Sequence, residues 1–383
     1  MVQIIEGMGK ILLALILIIS YYAIEVFVPR VFTTWGKKRS FHIMKKYRWH
    51  FILFIIIWFQ KNFIDAINDP IRDNLGLNFT NAVYAIEGNT VLHLQQFFLN
   101  YHLTMALTVI YVMGYMFINY FSIVYFSYVD DQELADKLAI NYAVIYLLSI
   151  PFYLFLPVDV TSQRIGPMKA LAYQLGPNWN QFFMSVDPLD NAVPSLHIAI
   201  PFAIILLIYR SQKRRNIHDY DRYMWFCVGL LSVFVFAILY LGIHWIVDIF
   251  FGIGVGLLGI YLVEGGSRDF WDWVLKKEWQ IRDRIAQRRN KPRPEPPLFR
   301  KKWDEPLWKK SRKDQDRYFA KEMGMTLEEL RRFDEDRENK GRDGGRAQGG
   351  RGDRIRDGKR GWRKEDGEKR MDKEDRKIRD GKN

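Results

Sequence analysis

Four residues able to do chemistry stand where apolar stretches of this chain meet polar ones. Ser195 and His197 lie in the run Pro194, Ser195, Leu196, His197, and His244 and Asp248 lie in the run from Gly242 to Asp248. Ionisable side chains at the edge of an apolar segment are costly unless paired or wetted, so their gathering points to a site. Near neutral pH an imidazole takes either protonation state, so one histidine can attack phosphorus while another protonates the departing oxygen. Asp248 follows His244 by four residues, a helical spacing that puts both on one face. Its carboxylate can then hold the far ring nitrogen and fix the tautomer. Ser195, after Pro194, reads as the N-cap of an incoming helix whose amino terminus favours an anion. Two histidines and a carboxylate also form a facial set for iron or zinc. No further His or Cys converges on them by spacing, and His93 and His102 read as surface residues.

Seven apolar stretches precede residue 265, at 11–29, 49–66, 104–128, 138–157, 197–210, 224–242 and 245–264. Each approaches the length of roughly 20 residues that crosses a bilayer. The expectation is an all-α polytopic transmembrane bundle of about six or seven spans. The opening stretch lacks a cleavage motif and is followed by basic residues, so it reads as an anchor. Lys and Arg cluster between Arg30 and Arg48 and again at Lys213, Arg214, Arg215 and Arg222, and such loops face the cytoplasm. Seven spans then place the loops 67–103 and 158–196 and the turn at His244 on the outer face, with the carboxyl-terminal tail inside. Asn78, Phe79, Thr80 forms a glycosylation sequon in the first of these loops. Gly252 and Gly256 lie within an apolar span and read as a close helix contact rather than a nucleotide loop. The tyrosines of 101–128 read as lipid-facing or interfacial. The single Cys227 leaves the redox compartment open.

Beyond residue 264 the composition changes. This segment holds 38 of the 56 Lys and Arg and 26 of the 43 Asp and Glu, and therefore almost all of the net charge of +13. Three domains are expected: a transmembrane domain 1–264, a cytoplasmic helical tail 265–340 and a disordered charged tail 341–383. Phe270, Trp271, Trp273 and Trp279 among Lys and Arg suggest an amphipathic helix along the anionic inner leaflet. Thr326 with Glu329 is a capping-box pattern. The last segment has almost no apolar residues and cannot form a core. Its acidic residues offset much of its positive charge, which favours a solvated tail over a nucleic-acid partner.

Pro194 to His197 and Tyr240 to Asp248 resemble the second and third signature motifs of the type-2 phosphatidic acid phosphatase superfamily. The resemblance covers roughly 138–264. Leu196, where phosphatases carry Gly, resembles the inositol-phosphorylceramide synthase, or inositolphosphotransferase, branch. The resemblance implies that His244 is a nucleophile that becomes transiently phosphorylated, that Asp248 orients it, that His197 protonates the leaving group, and that no metal or other cofactor takes part. Ala237 and Ile238 replace the Ser-Arg pair that phosphatases place before the nucleophile. The stretch Leu156 to Arg164 looks like a degenerate form of the synthase branch's first motif. Arg164 is thus the candidate phosphate clamp, with Lys169 as the alternative.

The expected function is that of a membrane lipid phosphatase or phosphotransferase at the outer bilayer face. Its partners would be a lipid phosphate or phospholipid, the membrane, and anionic inner-leaflet lipids along the tail. A non-catalytic membrane scaffold of the same fold is the competing class, favoured by the sparse cationic clamp.

Overall fold

The computed structural model describes residues 2–27, 45–186, 192–289, 291–296, 311–323 and 325–332. Among them the chain is entirely helix, turn and loop, with no strand. Most of the first basic loop and the segment 341–383 lie outside the described residues. Residues 1–324 form one compact unit.

Within that unit α1 spans Val2–Phe27, α2 Arg48–Leu75, α3 Thr80–Glu87 and α4 Thr90–Phe98. Helix α5 runs Tyr101–Tyr128 with a π-helical stretch at Ile110–Gly114, and α6 runs Gln132–Phe155. Short helices α7 (Thr161–Arg164) and α8 (Pro177–Val186) follow, then α9 (Leu196–Arg215), α10 (Asp221–Tyr240), α11 (Ile246–Arg288) and α12 (Arg312–Met323).

Local chemistry sets the ends of these helices. Asn100 and Asp131 cap α5 and α6 by accepting the backbone N–H of Leu103 and Leu134. Helix α9 ends in Lys213, Arg214 and Arg215, cations suited to its negative pole, and closes at Asn216 in the left-handed region (φ 51°).

Among the described residues four helices are long and apolar enough to cross a membrane: Tyr101–Tyr128, Gln132–Phe155, Asp221–Tyr240 and Ile246–Arg288. The stretches expected at 11–29 and 49–66 yield shorter apolar segments, Lys10–Ile24 and Arg48–Ile57. That expected at 197–210 becomes α9 with its basic last turn. Large apolar side chains point outward along these helices, among them Trp225, Phe250, Leu257 and Tyr261. Such a surface suits hydrocarbon and gives the chain an integral-membrane character.

Helix α11 packs on α9 and α6, and α2 on α6. A Cβ added at Gly252 would stand 2.7 Å from the Ser195 carbonyl oxygen, and one at Gly256 would stand 2.9 Å from that of Ala199. The pair thus allows the backbone approach expected of it, and it locks the start of α9 to α11. Tyr101 is exposed as expected, and two other tyrosines of α5 differ from expectation. Tyr111 and Tyr125 are buried, because they pack against helices of the same bundle rather than lipid.

The aromatic segment expected to form a separate helix along the inner leaflet is instead a continuation of α11. Trp271 is buried there, stacked on His50 with ring centroids 3.9 Å apart, and donates its indole N–H to the Asp136 carbonyl. An indole with a protein partner for both its face and its N–H has no need of a headgroup region.

The second unit begins at Met325. Its described part is a helical turn at 327–332, entered through the expected capping box. Thr326 N–H donates to Glu329 Oε2 at 2.7 Å and Glu329 N–H to Thr326 Oγ1 at 3.2 Å.

Candidate functional site

The turn between α10 and α11 carries His244, and its shape depends on Gly242. That residue has φ 79°, and a Cβ on it would meet the Lys169 carbonyl oxygen at 2.4 Å, so only glycine fits. The loop 157–174 is tied to the turn by backbone bonds from Ser162 N–H to Gly242 O (3.1 Å) and Leu171 N–H to Leu241 O (3.0 Å). Gln95, buried on α4, seals the junction. Its side chain donates to the carbonyls of Lys169 (2.8 Å) and Tyr240 (2.9 Å) and accepts from Lys169 N–H (3.0 Å).

His244 is buried and its Nδ1 lies 3.0 Å from Asp248 Oδ2. The same carboxylate oxygen accepts the Trp245 N–H at 2.8 Å. The expected pair is therefore present, but not along one helix face. His244 precedes α11, whose first residue is Ile246, and Asp248 in the first turn reaches back toward the chain entering the helix. Since a carboxylate only accepts, Nδ1 carries a proton, and in the neutral ring Nε2 then presents its lone pair. That nitrogen faces the Ser195 hydroxyl at 3.3 Å.

Ser195 occupies the N-cap position of α9 as expected, yet its side chain does not cap the helix. Its hydroxyl is turned to the imidazole instead. Its carbonyl accepts the N–H of Ile198 and Ala199, while its own N–H donates to the Asp248 carbonyl at 3.3 Å. In the first turn of α9, His197 stands with its ring centroid 5.9 Å from that of His244. Tyr111 stacks on His197 at 4.3 Å and Tyr115 lies against it at 4.2 Å. Tyr111 lies within the π-helical stretch of α5 and Tyr115 directly follows it, a local widening that shifts side-chain register and often marks functional positions.

Ser195, His197, His244 and Asp248 are thus brought together, whereas Arg164 and Lys169 stand apart. The Arg164 guanidinium lies over the Tyr84 ring at 4.2 Å and donates to Asn81 Oδ1 at 2.9 Å. Tyr84 in turn meets Trp245 edge-on at 6.4 Å, so Arg164 borders the His244 turn through two aromatic rings. The Lys169 side chain is exposed. Ile238 is fully buried in the apolar core.

Sequence reasoning missed Glu87. At the end of α3 its carboxylate accepts the N–H of Ile246 (2.9 Å) and Val247 (2.6 Å), the free donors at the start of α11. Burial raises its pKa above the ordinary glutamate value, and the two backbone N–H groups pull it back. The sequon residues also serve this region. Asn78 Nδ2 donates to Asp159 Oδ2 at 3.0 Å, Thr80 Oγ1 accepts the Asp159 N–H, and the Asp159 carbonyl accepts the Trp245 indole N–H at 2.8 Å. Among the described residues no group of three or more His, Cys, Asp or Glu is placed to hold a metal ion.

Residues 138–268 match the model of the PAP2 superfamily. The matched stretch runs from within α6 to within α11 and contains Ser195, His197, His244 and Asp248. Glu87, Gln95, Tyr111 and Tyr115 lie outside it. No curated protein and no solved structure matches the chain.

Proposed function

We propose that the chain is a lipid phosphatase or phosphotransferase that works through a phosphohistidine at His244. The observation that carries the reading is the chain of contacts from Asp248 through His244 to Ser195, with His197 facing the same imidazole, inside the stretch matched by a family generally composed of phosphatases. His244 Nε2 forms a bond to phosphorus as the ester bond to the leaving oxygen breaks, and protonated His197 gives that oxygen its proton. Asp248 stabilises the positive charge that develops on the imidazole. Water then attacks the phosphohistidine, passes a proton to His197 and releases phosphate. An alcohol attacking in its place gives headgroup transfer. Leu196 inclines the reading to inositolphosphotransferase-like transfer, by resemblance to that branch.

Ser195 is the proposed hydroxyl donor to a phosphoryl oxygen, since it already stands beside Nε2. Arg164 would serve as clamp by exchanging Asn81 for substrate, with Lys169 nearer solvent. The distribution of Lys and Arg supports an outer-face site and an inward tail. The same charges support the division at 264 and 340, with the tail near anionic inner-leaflet lipids. One observation favours the scaffold reading instead: Ile238 fills the core where a phosphate-binding arginine would stand.

Purified full-length chain incubated with labelled lipid phosphates, with and without an acceptor alcohol, tests both readings. The wild type should release or transfer phosphate and trap label on histidine, and His244→Ala and His197→Ala should not. Equal turnover by all three would remove the catalytic assignment. A wild type inert toward every lipid phosphate would leave the scaffold.

A further inference from the structure

At the end of the bundle opposite His244, an open cavity of about 660 Å³ is lined by Lys137, Arg210, Lys213, Arg214 and Glu264. Cations outnumber carboxylates there. Lys137, itself nearly buried, is held by Glu133 at 2.9 Å, and Arg214 pairs with the same carboxylate. Arg210 reaches Glu264 at 2.9 Å, and Lys213 lies over the Tyr209 ring at 5.8 Å. Two acids thus hold three of the four cations, and two of these, Arg210 and Arg214, keep about half of their side-chain surface exposed. Guanidinium groups so placed can bind phosphate oxygens bidentately, with the ammonium groups adding point charge.

The position of the cavity favours a lipid over a soluble anion. From Ile246 to Glu264 along α11 is about 27 Å at the helical rise, close to the roughly 30 Å of a hydrocarbon core. The cavity therefore lies about one bilayer thickness from His244, at headgroup depth on the other side. Toward the bilayer centre from Glu264, Tyr261 (76% exposed) and Leu257 (48% exposed) continue the same helix face. A phosphate in the cavity would leave its acyl chains against that apolar stripe.

We propose that this cavity is a binding site for the phosphate of an anionic membrane lipid, separate from the His244 site and lying on the opposite leaflet. The test uses the full chain in detergent micelles doped with phosphatidylglycerol or phosphatidylcholine, with retained lipid read by native mass spectrometry. Phosphatidylglycerol should be retained in preference. Arg210→Gln with Lys213→Gln should cut that preference about tenfold or more, at roughly one kcal/mol per basic residue lost. Lys213→Gln alone, on an exposed side chain, should cut it less and keep the melting temperature of the wild type. His244→Ala should leave retention unchanged, which separates this site from the catalytic reading. Equal retention of the two lipids, or an undiminished preference in the double variant, would overturn the proposal. Displacement of phosphatidylglycerol by equimolar inorganic phosphate would overturn its lipid part, and loss in His244→Ala would move the lipid to the other site.

Discussion

The two ends of the helix bundle treat ionisable residues in opposite ways. At the end formed by the start of α6 and the close of α9, carboxylates meet cations and phenols. Asp131 caps α6, accepts the Arg215 guanidinium at 2.7 Å and accepts the Tyr220 hydroxyl at 2.6 Å, while Asp130 holds Lys46 and Tyr47. At the His244 end, Asp248 meets an imidazole and a backbone N–H, and Glu87 meets two backbone N–H groups. The first arrangement neutralises buried charge and ties helices together. The second sets its carboxylates to orienting one ring and one helix start. On the function proposed above, charge pairing marks the scaffold, and oriented but unneutralised groups mark the chemistry.

That contrast breaks if the largest effects fall on the wrong property. His244→Ala should lower lipid-phosphate turnover by about 10⁴-fold or more, since the nucleophile of a cooperating set carries most of the rate. Its thermal unfolding should stay near that of the wild type. Asp131→Ala should do the reverse. Removing one partner of a buried ion pair costs about 3–5 kcal/mol, because Arg215 is then left without its carboxylate. Unfolding midpoints in detergent would fall, while turnover per folded molecule would hold. An Asp131 variant that is stable but inactive would erase the distinction between the two ends.

Gly242→Ala tests whether the turn itself is a device for placing His244. A Cβ at 2.4 Å from a backbone oxygen, added at a positive φ, forces the turn away from the loop 157–174. Destabilisation of about 2–4 kcal/mol is expected, accompanied by loss of activity in the fraction that still folds. Ser195→Ala, by contrast, removes one hydroxyl and leaves the backbone intact. It should lower turnover about 10²- to 10³-fold with little change in melting temperature, the range for a lost donor to developing charge. A Ser195→Ala variant that melts early but turns over normally would make the Ser195–His244 contact a structural one.

The sequence carried the helical architecture because runs of apolar residues are long and locally unambiguous. It carried the four residues that meet around His244 because the two motifs are each contiguous. It misplaced how they meet. A four-residue spacing from His244 to Asp248 fits a helix face, but the chain turns at Gly242 and enters α11 only at Ile246, so the contact arises from the helix start. Ser195 was legible as an N-cap by position, while its hydroxyl answers to an imidazole 49 residues away. Glu87, Gln95, Tyr111 and Tyr115 carry no local signal at all. Each acts through contacts with segments a hundred or so residues distant, and a glutamate ending a short helix looks like any solvated residue until its two amide partners are seen.

Glu87 supplies the finest test of the comparison, through pH. Its pKa is raised in the fold, chiefly by burial, against an ordinary value of 4.5. A carboxyl whose folded pKa exceeds its unfolded one binds a proton more tightly when folded. Its contribution to stability is therefore fully present below about pH 4.5, and is lost as pH rises through the folded value. Glu87→Gln removes the titration and keeps a carbonyl to accept from the start of α11. Difference curves of melting temperature against pH, wild type minus variant, should fall from pH 4 upward and then level. A flat difference would mean that the carboxylate is as well solvated by Ile246 and Val247 as by water. The amides of α11 would then offset the whole cost of burying it, and the His244 end would be neutralising charge as thoroughly as the Asp131 end does.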